Sequence, residues 1–182
     1  MLSRRFLLPL LSALGLIFSL FWIMINQDNT GQITNFPMKG HAVPAFTYST
    51  LDGTPVDESL FQQDWKILNV WASWCVVCKK EHDFLMALAN QGVPIIGLNY
   101  RDKKGAAIHT LDTTGNPYQT VIFDPQGALA MELGSMVTPE TYLIDGQGIL
   151  VHRHTGALDS QVWENEFYSR IQTLNVSAEG KS

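Results

Sequence analysis

Cys75 and Cys78 are the only cysteines in the 182-residue chain, and two residues separate them. A disulfide scaffold would use more cysteines, spread along the sequence. A bond between such close neighbours closes a tiny loop and constrains little of the unfolded chain. Stability is therefore a poor reason for the pair, and thiol–disulfide exchange is a better one. Before it stands Ile67-Leu68-Asn69-Val70-Trp71, a short apolar run of strand formers. After it, residues 76–90 carry Phe84, Leu85 and Leu88 at helical spacing and stop before Gly92. A CxxC between a buried strand and a helix puts the first sulfur at the helix N-terminus, where free N–H groups and the helix dipole favour an anion. That lowers the thiol pKa from its usual ~8.5. Cys75 is then expected to be the exposed nucleophile that attacks a partner disulfide, and Cys78 the thiol that resolves the mixed disulfide.

Other uses of the pair need more than the sequence supplies. A structural zinc site takes four ligands. His82 follows Cys78 by four residues, but no second CxxC and no HxxxH is present. Copper binding through Cys75, Cys78 and a distant histidine, and a purely structural disulfide, remain the competing readings.

The elements around the pair alternate. A strand is expected over residues 45–51, a turn at Asp52-Gly53-Thr54-Pro55, and a resumed chain from Val56 with Asp57 capping a short helix. Strands then follow at 67–71, 94–100 and 119–123, with helices at 76–90, 103–112 and 128–133 between and after them. Residues 141–144 and 148–152 form a hairpin about Asp145-Gly146-Gln147, and a closing helix spans 159–174. This order indicates an α/β domain with a mixed central sheet covered by helices on both faces and an N-terminal hairpin extension.

Residues 6–25 form an uncharged apolar run, long enough as a helix to cross a bilayer of ~30 Å. Arg4 and Arg5 precede it, which places the N-terminus in the cytoplasm. The run ends Phe21-Trp22-Ile23-Met24-Ile25 without a small-x-small cleavage site, so a single uncleaved transmembrane helix is expected, with a cleaved signal peptide as the competing reading. Either way the remainder is exported. The expected organisation is a cytoplasmic stub and anchor over 1–25, a polar linker over 26–41, one domain over 42–176 and a tail over 177–182. All 17 acidic residues lie after the anchor, against 12 basic residues in the whole chain. An exported domain more acidic than the chain's net −5 is a poor partner for nucleic acid, whose phosphates require Lys and Arg.

Trp71-Ala72-Ser73-Trp74-Cys75-Val76-Val77-Cys78 resembles the active-site segment of thioredoxin-like proteins. Glu81-His82, Gly97-Leu98-Asn99-Tyr100-Arg101-Asp102, Gly115-Asn116-Pro117-Tyr118, Pro139-Glu140-Thr141-Tyr142-Leu143-Ile144-Asp145 and Val162-Trp163-Glu164 are similar to the CcmG/DsbE family of thiol–disulfide proteins. The resemblance covers nearly the whole chain. It implies a thioredoxin fold in the bacterial periplasm, held to the inner membrane by the anchor. It also implies a thiol:disulfide oxidoreductase of cytochrome c maturation, which keeps the CxxCH haem-binding cysteines of apocytochrome c reduced. Apocytochrome c or haem-ligation components would be its substrates, a membrane thiol reductase of the DsbD/CcdA type its electron donor, and no cofactor or metal would be needed. By the same resemblance the site comprises Cys75, Cys78, Glu81, Pro139 and Glu140, with Pro139 as a cis-proline facing the cysteines and the two acids near them. Asp102 fits a loop or capping role equally well, His82 and His109 read as surface or structural residues, and packing explains Trp71 and Trp74 as well as shielding of the sulfurs does. The chain departs from the family pattern at Val76 and Val77, where a proline is usual between the cysteines, and at Val137, where glycine is usual. Those departures put its redox potential and its partner specificity in question.

Overall fold

The computed structural model describes residues 15–19 and 38–179. The chain divides into two units, Met1–Asn35 and Phe36–Ser182. In the first, residues 15–19 are helical, with Leu16, Ile17 and Phe18 exposed. The rest of the expected anchor over 6–25, and the expected linker as far as residue 37, lie outside the described residues. Among the described residues no helix is long and apolar enough to cross a membrane.

In the second unit the strands are β1 (Thr47–Thr50), β2 (Pro55–Asp57), β3 (Lys66–Trp71), β4 (Ile95–Tyr100), β5 (Thr120–Asp124), β6 (Glu140–Ile144) and β7 (Leu150–Thr155). The helices are α1 (Cys78–Asn90), α2 (Lys104–Thr114), α3 (Ala128–Glu132), α4 (Ser160–Val162) and α5 (Ser169–Glu179), with a π-helical stretch Trp163–Tyr168 between the last two. Among the described residues these strands form one sheet in the order β2-β1-β5-β4-β3-β6-β7. β3, β4 and β5 run parallel, and β1, β2, β6 and β7 join antiparallel. This is the thioredoxin-like α/β fold, with the β1–β2 hairpin as its N-terminal extension.

The sequence accounts for the centre of the sheet. Ile67 to Trp71 and Ile95 to Tyr100 are buried without alternation, as strands covered on both faces must be. Ile67, Trp71, Ile95 and Leu143 face one core together with Cys75, Cys78, Leu85 and Leu88. Leu68, Val70, Ile96, Leu98, Tyr142 and Ile144 face the other, beneath Phe61, Leu129 and Leu133. Asp57 caps the 3-10 helix Glu58–Phe61 by accepting from the Ser59 N–H at 3.0 Å. Asp124 does the same for α3, accepting from Ala128 N–H at 2.9 Å and Ala130 N–H at 3.0 Å.

Several boundaries differ from expectation. The helix expected from residue 76 begins at Cys78, because Ala72 to Val77 are taken up in turns, with Cys75 N–H donating to Ala72 O at 3.1 Å. The strand expected at 148–152 runs from Leu150 to Thr155, since Gly148 adopts φ +77 and belongs to the turn. The closing helix, expected over 159–174, is α-helical at Ser160–Val162, π-helical over Trp163–Tyr168 and α-helical again over Ser169–Glu179. The chain is also tied to the sheet before residue 42. Gly40 N–H donates to Leu150 O at 2.8 Å, and Leu150 N–H donates to His41 O at 2.9 Å.

Gly97 on β4 lies under the stacked rings of Trp71 and Tyr118, whose centroids are 5.5 Å apart at 23°. A Cβ there would stand 2.9 Å from Tyr118 Cγ and 3.0 Å from Trp71 Nε1. Both rings are buried and cannot swing clear. Gly97→Ala is expected to lower the stability of the folded protein by about 1–3 kcal/mol in urea unfolding. Gly105→Ala on α2, where nothing lies within 4 Å, should be neutral or stabilising by up to about 1 kcal/mol.

Candidate active site

Cys75 and Cys78 are joined in a disulfide, with their Cα atoms 5.3 Å apart. The end of β3 delivers the chain to this point and α1 carries it away. Cys78 is the first residue of α1, and its N–H donates to Cys75 Sγ at 3.0 Å. The expected influence of the helix N-terminus on the first sulfur is therefore a specific hydrogen bond from one N–H rather than a position within the helix. The same N–H would stabilise a thiolate on Cys75 once the bond is reduced.

The expectation of an exposed Cys75 is corrected. Cys75 is 4% exposed and Cys78 7%, and both belong to the buried cluster that also holds Trp71, Leu85 and Tyr118. Exposure belongs to their neighbours: Trp74 is 55% exposed, Val76 69% and Val77 41%.

The turn before the cysteines is bracketed by Asp102. Its carboxylate accepts from Ser73 N–H at 2.6 Å and from Ser73 Oγ–H at 2.8 Å, and also from Asn99 Nδ2 at 3.0 Å and Lys103 N–H at 2.7 Å. Arg101, just before it, adopts φ +47, a conformation that costs a non-glycine residue about 1–2 kcal/mol. Its carbonyl accepts from Trp74 Nε1 at 3.0 Å, and its guanidinium lies 5.1 Å from the centre of the Tyr100 ring. Trp71 and Trp74 thus differ: Trp71 is a core ring stacked on Tyr118, while Trp74 is a surface ring pinned to the Asp102 loop.

Glu81 is one turn beyond Cys78 on the buried stripe of α1, which reads Cys78, Glu81, Leu85, Leu88. It is 1% exposed. Its Oε1 accepts from Asn69 Nδ2 at 2.9 Å and its Oε2 from Leu158 N–H at 2.7 Å. Burial raises its pKa to about 7, against the two hydrogen bonds, which favour the charged form. Asn69 is fixed in turn: Tyr118 O–H donates to its Oδ1 at 2.9 Å, and its Nδ2 also reaches Thr141 Oγ1 at 3.2 Å. Burial, and then the Glu81 charge, push the Tyr118 hydroxyl well above its ordinary value.

The Thr138–Pro139 peptide bond is cis. β6 pairs with β3 through Val70 opposite Glu140, so the same register carried one residue further sets Pro139 beside Trp71. The loop before it, with Met136 84% and Val137 51% exposed, then runs alongside the cysteine turn. Glu140 does not join the cysteines. It shares a sheet face with Tyr142, two residues on, and Tyr142 belongs to the core opposite the one that holds Cys75 and Cys78. Its carboxylate accepts from Tyr142 O–H at 2.9 Å and Thr155 Oγ–H at 2.8 Å, with Arg153 Nη1 at 4.0 Å. The structure therefore brings Cys75, Cys78 and Glu81 together, with Pro139 across from them, and separates Glu140.

His82 contacts Thr114 O at 3.1 Å through Nε2, away from the cysteines. Among the described residues, no three His, Cys, Asp or Glu side chains are grouped to hold a metal ion. Asn69 and Tyr118 were not singled out from the sequence. The available signal was an asparagine at the centre of an apolar strand.

The Redoxin family model matches residues 38–169. The thiol:disulfide interchange protein DsbE of Escherichia coli K12 is 39% identical over 165 residues, spanning 88% of this chain and 89% of that protein. DsbE of Yersinia pestis is 37% identical over 170 residues, 90% of each. Among solved structures, a secreted thiol-disulfide isomerase from Corynebacterium glutamicum matches with a TM-score of 0.63 and 25% identity, over 76% of this chain and 91% of the other. A match across so much of both lengths, with a CxxC in disulfide form at the head of α1, leaves one assignment: the chain belongs to the DsbE family of thiol:disulfide interchange proteins and is a thiol:disulfide oxidoreductase.

Proposed function

We propose that this oxidoreductase works as a reductant of specific exported disulfides, those formed between the haem-binding CxxCH cysteines of apocytochrome c during cytochrome c maturation. Residues 6–25 would hold it to the bacterial inner membrane, with the domain in the periplasm. An uncharged run of that length after Arg4 and Arg5, and the exposed apolar residues Leu16, Ile17 and Phe18, support the anchor. Electrons would arrive from a membrane dithiol reductase of the DsbD/CcdA type. The observation that carries the reading is the asymmetric pair itself: Cys75 under the N–H of Cys78, and Cys78 one turn above the buried Glu81.

The exchange balances on these groups. In the reduced protein the Cys75 thiolate attacks one sulfur of the partner disulfide. That bond breaks, and the other partner sulfur leaves as a thiolate and takes a proton. Cys78 then gives its proton to Glu81 and attacks Cys75 Sγ. The bond between Cys75 and the partner breaks, the second partner sulfur leaves as a thiolate and takes the proton that Glu81 received, and two electrons have passed to the partner. A carboxyl with a pKa of about 7 is suited to take and return a proton near neutral pH. Trp74, Val76, Val77, Met136 and Val137 are the exposed apolar side chains around the pair, so the partner segment meets an apolar rim.

Cys78→Ser should accumulate a mixed disulfide through Cys75 that disappears on reduction, and Cys75→Ser should not. Mass spectrometry of the adduct tests the partner: apocytochrome c or a haem-ligation component supports the proposal. A broad set of unrelated exported proteins would support a general disulfide oxidoreductase instead, as would finding Cys75–Cys78 mostly oxidised in cells by thiol alkylation. Stoichiometric copper binding without an adduct would point to a copper-delivery module.

Glu81 also sets a pH dependence for the oxidised protein. Its folded pKa of about 7 lies above the 4.5 of a free glutamate, so the folded state binds the proton more tightly than the unfolded state. Its favourable contribution is complete below about pH 4.5 and is lost as pH rises through about 7, a change of order 3 kcal/mol. Glu81→Gln should flatten the stability profile across that window, as read by urea unfolding.

A further inference from the structure

Glu81 is held by two donors of different kinds. Leu158 supplies a backbone N–H, and Asn69 supplies a side-chain amide. Asn69 is wholly buried at the centre of β3, between Leu68 and Val70. Asparagine is a poor strand former, and a buried amide costs free energy unless its groups are paired. Here each has a partner. The Tyr118 O–H takes Oδ1, which leaves both Nδ2 hydrogens for Glu81 and Thr141. Tyr118 cannot drift, because its ring is stacked on Trp71 over Gly97. Turning the amide over would set Oδ1 against the Glu81 carboxylate, which an ionised Glu81 disfavours.

We propose that Asn69, oriented by Tyr118 and Thr141, is a positioning residue for the exchange at Cys75 and Cys78: it keeps an N–H on the Glu81 carboxylate, so that this carboxylate is ready to receive the Cys78 proton. The inference rests on the reading of Glu81 as the proton acceptor. The groups that face the Glu81 carboxyl are Asn69 from β3, Tyr118 from the segment before β5, Thr141 through Asn69 from β6, the Leu158 amide from the segment after β7, and Cys78 from its own helix. Of these only Tyr118 and, after reduction, Cys78 titrate. Asn69 therefore acts on Glu81 as a hydrogen-bond donor to the charged form, and its removal favours the protonated form.

The test is a pH titration of the Glu81 side-chain carboxyl by 13C NMR in the oxidised full-length protein. It is paired with the pH profile for release of a model partner from its mixed disulfide with Cys75. Asn69→Leu should move both midpoints upward by roughly one pH unit, the size expected for one lost hydrogen bond to a charged group. Tyr118→Phe deletes one oxygen, keeps the ring stack and guards against a folding defect in the first variant. It should move both midpoints the same way by a smaller amount. Thr141→Ser retains the hydroxyl and should leave both in place. Folded variants that lose stability without moving either midpoint would make Asn69 a packing residue and overturn the proposal. Glu81→Gln separates the two readings. If it abolishes the pH step in partner release while Asn69→Leu leaves that step unmoved, the positioning role fails. If it leaves the step intact, the proton-acceptor role of Glu81 fails, and the NMR midpoint alone decides whether Asn69 controls that carboxyl.

Discussion

A carboxyl group buried one helical turn below the redox pair is the constraint from which much of this structure follows. Moving a carboxylate out of water is costly, and an unpaired one would give up its charge. The fold answers with a backbone N–H from Leu158 and an amide from Asn69. Each answer creates a further demand. The Asn69 amide has to be satisfied inside β3, which brings in Tyr118 and Thr141. The Tyr118 ring needs room above the sheet, which makes residue 97 a glycine. One acidic side chain thereby ties together residue choice on β3, β4 and β6 and in the segment before β5, while the segment after β7 contributes only a backbone N–H. The two hydrogen bonds do not fully offset burial, so the carboxyl's pKa stands at about 7 rather than in the ordinary glutamate range.

A second constraint is mechanical. The loop closed by Cys75 and Cys78 is too short to define its own orientation, and no side chain caps α1 at Val77. Position comes from outside, through Asp102. Four donors converge on its carboxylate, two of them from Ser73 in the turn itself. The left-handed backbone at Arg101 turns the chain out of β4 toward that turn, and its cost is offset by the Trp74 bond and by the ring contact with Tyr100. The reacting turn is thus held by the end of the neighbouring parallel strand, where an α/β sheet gathers its functional loops.

Much of this was legible in the sequence because it follows from local pattern. Mostly apolar runs marked β3 and β4, and Gly92 and Asp57 marked a helix end and a helix start. Glu81 came from the family resemblance alone; that it lies on the buried stripe Cys78, Glu81, Leu85, Leu88 is a finding of the structure. What escaped is what depends on parity and distance. Glu81 and Glu140 look alike as acids close to active-site motifs, yet the alternation along β6 sends Glu140 with Tyr142 to the opposite face. The Asn69–Tyr118 bond joins residues 49 positions apart, and no periodicity announces it. The burial of Cys75 was hidden too, since the helix pattern placed the helix start two residues early and left the cysteine outside the turn that folds it inward.

The departures from the family pattern fall on one side of this division. Val76, Val77 and Val137 are all exposed around the disulfide, and none belongs to either core. Val77 has φ −71, a value that proline also adopts, so valine there is compatible with the same backbone path while it lifts the ring's restraint and adds a backbone N–H. Glu81, Asn69 and Tyr118 are by contrast buried and bonded to one another. A chain under pressure to keep its exchange chemistry is free to vary where a side chain meets solvent or a partner, and constrained where an added or missing atom would leave a buried polar group unpaired. A side chain at 76, 77 or 137 can therefore change without touching the Glu81–Asn69–Tyr118 hydrogen bonds, so the exposed rim and the buried network are separable by substitution.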